Sequence, residues 1–145
     1  MPRVDLNVAK NIYHKLHAAI QRGLVRACHD LSEGGLAVAA AEMAFAGGLG
    51  AQLRLDPVPV PEGEQPNPLV ALFDESPSRF LVEVELEMQA EFEAALKGVP
   101  CGQIGFVKEE PWLTIDPAGG DERERLAWLI HESLEDLKRA WQGAF

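Results

Sequence analysis

The segment from Gly35 to Ala46, GLAVAAAEMAFA, is apolar almost all the way round a helix, and Glu42 is its only charged residue. No other stretch constrains the fold as much. A helix without a polar face must be covered on more than one side, so the chain has to build layers around it. Its many alanines permit close approach by whatever covers it. Glycines bracket it, SEGG before and GGLG after, and they mark where it starts and stops. The preceding LVRACHD reads as a short strand stopped by a charged cluster. Ser32 is placed as the N-cap, and Glu33 sits where the positive end of the helix favours a negative charge.

The rest of the chain alternates between helical and extended patterns. From Asn7 to Arg22, Val8, Ile12, Leu16, Ala19 and Ile20 recur at helical spacing and share one face, with Gly23 as the stop. AQLRLD, Ala51 to Asp56, reads as a strand, and NPLVALFDE as a short helix; the proline-rich PVPVPEGEQPNP connects them. SRFLVEVEL alternates, with Phe80, Val82, Val84 and Leu86 on one face and Leu81, Glu83 and Glu85 on the other, the pattern of a half-exposed strand. EMQAEFEAALKG is helical and ends at Gly98, while CGQIGFVKE and PWLTID read as strands. Near the end, LAWLIHE is a compact apolar run, and SLED is a capping box with Ser133 as N-cap and Asp136 in the reciprocal position. That pattern predicts a strand ending near His131, a helix from Ser133, and PAGGDERER as a hairpin loop. The expected fold is an α/β (α+β) layered sandwich, a mixed β-sheet with helices packed on it, formed by residues 1–145 as a single domain.

Composition narrows the function classes. With 145 residues and 47% hydrophobic content the chain can bury a real core. A net charge of −10 argues against attraction to a phosphate backbone or an anionic membrane, so neither nucleic acid nor membrane is expected as a partner. No apolar run reaches the roughly 18 residues of a membrane span, and MPRVDLNVAK lacks the apolar region of a signal peptide, so a cytoplasmic location is expected. Cys28 and Cys101 lack CxxC spacing and read as reduced thiols rather than zinc ligands.

Two clusters have residues suited to chemistry. In HDLSEGG, a strand running through a glycine turn into a helix presents free amides, and Gly34 and Gly35 let a ligand approach the backbone. Asp30 suits Mg²⁺, which takes carboxylate, phosphate and water oxygens. His29 suits a phosphate contact or proton transfer. The spacing matches neither a Walker A loop nor a GxGxxG fingerprint, and the same residues read equally as strand, cap and buried helix. In DESPSR, Asp74 to Arg79, the acids, hydroxyls and arginine suit a phosphorylated ligand or metal; alternatively Ser76-Pro77 is a turn into the sheet. His29, Asp30 and Ser32 lie too close in sequence for triad geometry, and no GxSxG elbow is present. Cys28 and His29 point to opposite faces of a strand. His14 and His17, at i and i+3, read as a solvated face, and Trp112, Trp128 and Trp141 as core or interface residues.

HDLSEGGLAVAAAEMAFAGGLGAQL and, at the expected distance, LFDESPSRFLVEV resemble the two signatures of the last domain in the phosphoribosylformylglycinamidine synthase family (synthase II, or small, form). QIGFV, WLTI and LEDLKRAWQGAF resemble its closing segments, so the resemblance runs from about Val4 to Phe145. More distant cousins are aminoimidazole ribonucleotide synthetase, thiamine-monophosphate kinase, selenophosphate synthetase and a hydrogenase maturation protein. The resemblance implies a fragment of a longer synthase built from tandem A and B domains, of which this chain is the second B domain. It implies a ligase that takes formylglycinamide ribonucleotide, ATP and glutamine-derived ammonia to formylglycinamidine ribonucleotide, ADP and phosphate.

Further expectations come with it. ATP or ADP and Mg²⁺ belong to the full-length enzyme and none is required by this piece. The partners are the A domains and, through the whole enzyme, a glutaminase subunit and a small bridging subunit. If the domain's own sheet uses one face of the alanine-rich helix, the other is expected to meet an A domain. Asp30 is the counterpart of a metal-binding aspartate, and Glu75 and Ser76 of a substrate-contacting pair, but across an internal pseudo-twofold. They would therefore face an auxiliary nucleotide site of structural rather than catalytic character. The expected auxiliary site comprises His29, Ser32, Gly34, Gly35, Glu75, Ser76, Ser78 and Arg79, with Asp30 for Mg²⁺ and no catalytic residue. The alternative is a free-standing nucleotide-binding or regulatory module of the same fold.

Overall fold

The computed structural model describes residues 4–61, 63, 67–117 and 129–143. In order, the elements are α1 (Leu6–Gln21), β1 (Ala27–Asp30), α2 (Gly35–Gly47), β2 (Gly50–Arg54), α3 (Pro68–Phe73), β3 (Phe80–Glu83), α4 (Gln89–Ala95), β4 (Gly105–Lys108), β5 (Trp112–Asp116), β6 (Ile130–Ser133) and α5 (Leu134–Gly143). A 3₁₀ turn at Leu86–Met88 leads into α4. β1 and β3 form an antiparallel pair, and β4, β2, β5 and β6 form a four-stranded mixed sheet in that order. Among the described residues only β2 and β5 run parallel. The layered α+β architecture agrees with the sequence pattern.

Helix α2 sits at the centre. It packs against α3 and α5 as well as β1, β2, β3 and β5. Leu36, Ala37, Ala39, Ala40, Ala41 and Ala44 are all buried. The β2–β5 register sets Ala51 beside Leu113 and Leu53 beside Ile115, giving the sheet an apolar side that joins α2 in one core with Leu31, Leu55, Leu72 and Leu134. Leu113 and Ile115 are fully buried, each contributing about 2 kcal/mol of transfer free energy. The side of α2 expected to await an A domain is covered by α3, α5 and the β1–β3 pair of this same chain. Its alanines serve this internal close approach.

A second, smaller core lies under α1. Ala19, Leu24, Phe92 and Leu96 bury one another, with Val82 and Val84 packed alongside. β3 therefore lies between two cores: Leu81 packs on the first and Val82 on the second. Every residue of β3 is half-buried, in keeping with the half-exposed strand expected of SRFLVEVEL, although both sides have apolar neighbours and Leu86 beyond its end is exposed. The apolar stripe of α1 is also corrected. Ala9, Leu16 and Ala19 are buried, but Val8 and Ile20 are each 43% exposed. α1 leans on α4 and its following loop, through Asn11 to the Gly98 carbonyl, Lys15 to the Lys97 carbonyl and Arg22 to Glu91. One such neighbour covers a narrower stripe than the apolar pattern spans.

Two end signals hold as read. β5 and β6 pair antiparallel, and the Asp136 N–H donates to Ser133 Oγ at 3.1 Å while that hydroxyl donates to Asp136 Oδ2 at 2.6 Å. Residues 118–125 of the expected hairpin loop, and Trp128, lie outside the described residues. Trp112 is exposed on the sheet and stacks on His131 with ring centroids 4.6 Å apart. No helix among the described residues is long and apolar enough to cross a membrane.

Candidate functional site

The β1–β3 pairing brings the two sequence clusters together. Asp30 lies opposite Phe80, and the Leu31 N–H donates to the Arg79 carbonyl at 3.0 Å. The turn that follows β1 thus runs beside the loop that precedes β3. At its end Gly34 and Gly35 have φ of +78° and +63°, values that L side chains reach only with strain. A Cβ on Gly35 would lie 2.7 Å from the Leu72 carbonyl oxygen, so α2 starts flush against the end of α3.

The cap of α2 is not the one next to it in sequence. Gly34 is the N-cap residue and has no side chain to offer; the Ser32 side chain is exposed, and its carbonyl accepts from the Gly35 N–H at 3.3 Å. Instead the Gly34 N–H donates to Glu75 Oε1 at 2.8 Å. A carboxylate from the other cluster therefore meets the positive end of α2. This replaces the expected N-cap role of Ser32, because Gly34 stands at the cap position and no side-chain cap bond is made there.

The loop carrying Glu75 is held from within. Ser76 Oγ donates to Asp74 Oδ1 at 2.9 Å. Arg79 Nη1 donates to the Asp74 carbonyl at 2.7 Å and to Asp74 Oδ2 at 3.3 Å, and Nη2 donates to the Ala71 carbonyl at 3.1 Å. The guanidinium thus ties the end of α3 to the start of β3. Ser78 has a left-handed φ of +69°, and its hydroxyl reaches Tyr13 Oη at 3.4 Å.

Asp30 is exposed at the mouth of the turn. Among the described residues no three His, Cys, Asp or Glu side chains gather to hold a metal ion. A hard cation on Asp30 would have to complete its shell with water and phosphate oxygens, as Mg²⁺ commonly does.

His29, adjacent to Asp30, faces the other way. Its Nδ1 lies 2.6 Å from the Asp30 carbonyl oxygen and its Nε2 lies 2.8 Å from Glu42 Oε2. Trp141 Nε1 donates to the second oxygen, Glu42 Oε1, at 2.9 Å. These three residues line a cavity of about 520 Å³ together with Met43, Phe45 and Glu83. Sequence reasoning singled out His29 but missed Glu42 and Trp141 as its companions. The available signal was the isolation of Glu42 within an apolar helix. The candidate residues therefore divide between the glycine turn and this cavity. Cys28 and Cys101 are unpaired. Burial, then the Asp30 charge, pushes the Cys28 thiol up, and burial, then Glu93, does the same to Cys101, so both favour the unreactive thiol form.

Comparison with known proteins places this geometry in context. The family model described as AIR synthase related protein, C-terminal domain, matches residues 2–116. Phosphoribosylformylglycinamidine synthase II from Thermotoga maritima superposes with a TM-score of 0.77 at 24% identity, over 94% of this chain and 22% of that one. The same organism's PurL complexed with ATP gives 0.72 at 24% identity, over 88% and 21%. The hydrogenase maturation protein HypE gives 0.62 at 19% identity, over 85% and 41%. The chain spans about a fifth of the synthase chains it matches.

Proposed function

The chain belongs to the family of AIR synthase related C-terminal domains, and from that premise we propose that it is the second B domain of a phosphoribosylformylglycinamidine synthase. The reaction assigned to the whole enzyme is the ATP-dependent amidation of formylglycinamide ribonucleotide with glutamine-derived ammonia. The observation that carries the reading is the clasp between Gly34 and Glu75. It unites in space the two segments that resemble the synthase signatures. The superposition on a synthase II over nearly the whole of this chain, at a fifth of that chain's length, supports a one-domain role.

In this reading the domain supports an auxiliary nucleotide site and performs no chemistry by itself. The turn at Gly34 and Gly35, with Ser32, Glu75, Ser76 and Ser78, forms the side that faces the nucleotide. Asp30 is the residue that would hold Mg²⁺, which would supply positive charge to neutralise a nucleotide's phosphates. Arg79 fixes the loop from behind, and His29 fixes β1 to α2. The Glu75 carboxylate already occupies the one turn amide that a phosphate would seek, so a nucleotide needs further contacts. Those are assigned to the A domains, with the glutaminase and bridging subunits reached through the complete enzyme.

The test compares this chain alone with the complete synthase. The chain alone is expected to form no product from formylglycinamide ribonucleotide, ATP and ammonia, and to show weak binding or none to Mg-ADP by calorimetry. Product formation would overturn the assignment of inactivity. Tight Mg-ADP binding by the chain alone would favour a free-standing nucleotide-binding module.

A further inference from the structure

The cavity beside His29 has walls of two chemical kinds. At about 520 Å³ it has the size of a pocket for a small organic molecule. One wall is acidic: Glu42 comes from α2 and Glu83 from β3, and among the described residues no lysine or arginine lines the space. The other wall is apolar, formed by Met43 and Phe45 of α2 and by Trp141 of α5. The packing of β3 and α5 on α2 brings these groups to one place.

The acidic wall is incompletely compensated. The Glu42 and Glu83 side chains are only 29% and 30% exposed, and a carboxylate withdrawn from water needs a cation or hydrogen-bond donors in its place. Glu42 has neighbours for both oxygens: Trp141 Nε1 donates to Oε1, and His29 Nε2 lies 2.8 Å from Oε2. Those contacts hold the carboxylate and the indole in fixed positions. Glu83 is served less well. Arg26 Nε lies 3.4 Å from it, but the same guanidinium makes its shorter contact, 3.0 Å, with Glu85. One arginine thus divides its charge between two carboxylates, and it does so from outside the cavity.

The apolar wall favours the same sign of ligand. The face of an aromatic ring is negative and attracts a cation, the indole most strongly. Trp141 is pinned by its N–H to Glu42 and is still 50% exposed. Phe45 lies beside it with ring centroids 5.8 Å apart and planes tilted by 50°, so the two rings do not stack face to face. An anion here would meet two carboxylates, and a neutral hydrocarbon would take water from Glu83 and return nothing. We propose that the cavity is a binding site for a small organic cation, an alkylammonium or alkylguanidinium ion. Its charged head lies at Glu83 and Glu42, and its hydrocarbon body lies against Trp141, Phe45 and Met43. The cation supplies at Glu83 the charge that Arg26 shares with Glu85. The site is separate from the turn at Gly34 and Gly35 and does not depend on what that turn binds.

The experiment titrates the full chain with n-butylammonium chloride at constant ionic strength and follows the Trp141 indole N–H and the Met43 methyl by NMR. Two further probes keep nearly the same hydrocarbon: n-butanol without charge and n-butyrate with the opposite charge. Saturable shifts at both reporters are expected for the ammonium ion, with a Kd on the order of 1 mM, ordinary for so few atoms. n-Butanol should bind more weakly, and n-butyrate should give no saturable shift. Glu83→Gln keeps the shape and removes the charge, and it should weaken the ammonium ion about tenfold, the lower range for a charge-assisted hydrogen bond. A titration that does not saturate, saturable shifts confined to residues away from Trp141 and Met43, or n-butanol binding as tightly as the ammonium ion would each overturn the proposal. So would unchanged affinity in Glu83→Gln. The three probes on the unaltered chain decide the matter even where the variant fails to fold.

Discussion

Helices α1 and α2 obey different rules within one short chain. α1 carries its cap beside it: Asp5 Oδ1 accepts from the Asn7 and Val8 N–H groups at 2.9 and 3.1 Å. It also has a clear apolar stripe, yet Val8 and Ile20 on that stripe are exposed. α2 has no stripe and borrows its cap from Glu75, 41 residues away, yet it is the hub of the larger core. A periodic pattern thus marks a helix without measuring how much of it is covered. Apolarity on all sides is the stronger signal of a central position, because such a helix has no face to give to water.

The contrast is broken most severely at the start of α2. Gly35→Ala adds a Cβ against the Leu72 carbonyl and forces a left-handed φ on alanine. It is expected to destabilise the domain by about 3 kcal/mol, measured by urea unfolding. A near-neutral result would mean that α2 and α3 do not meet this closely. The caps come next. Asp5→Ala should cost about 1 kcal/mol, as loss of an N-cap does. Glu75→Ala should cost about 2 kcal/mol, since it removes both a charged hydrogen bond and the tie between two loops. Equal losses would reduce Glu75 to an ordinary cap. The smallest effect belongs to α1, where Val8→Ala and Ile20→Ala should each stay within about 0.5 kcal/mol by the same measurement. A larger loss would show that this stripe is covered in solution.

Most elements were legible because their signals are local. The 3.6-residue spacing in α1, the SLED box at Ser133 and the extended run PWLTID need only neighbours in sequence, and each lies where the pattern put it. The two candidate clusters were legible as clusters for the same reason. Their joining was not. It depends on β1 pairing with β3 in a register that sets Asp30 opposite Phe80, and nothing local encodes that register. The alternation of β3 likewise did not tell that Leu81, on the side of Glu83, reaches the larger core.

The sequence by itself determined that a wholly apolar helix must be enclosed, that strands flank it, and that glycines and acids gather at its start. Those facts follow from residue size, charge and backbone freedom. Only the tertiary structure decided that Glu75 rather than Ser32 caps that helix, that Arg79 turns inward, and that His29 faces Glu42 and Trp141. Each of those partners is distant along the chain, and a hydrogen bond selects by position in space, which the packing of α2 between its two sheets supplies.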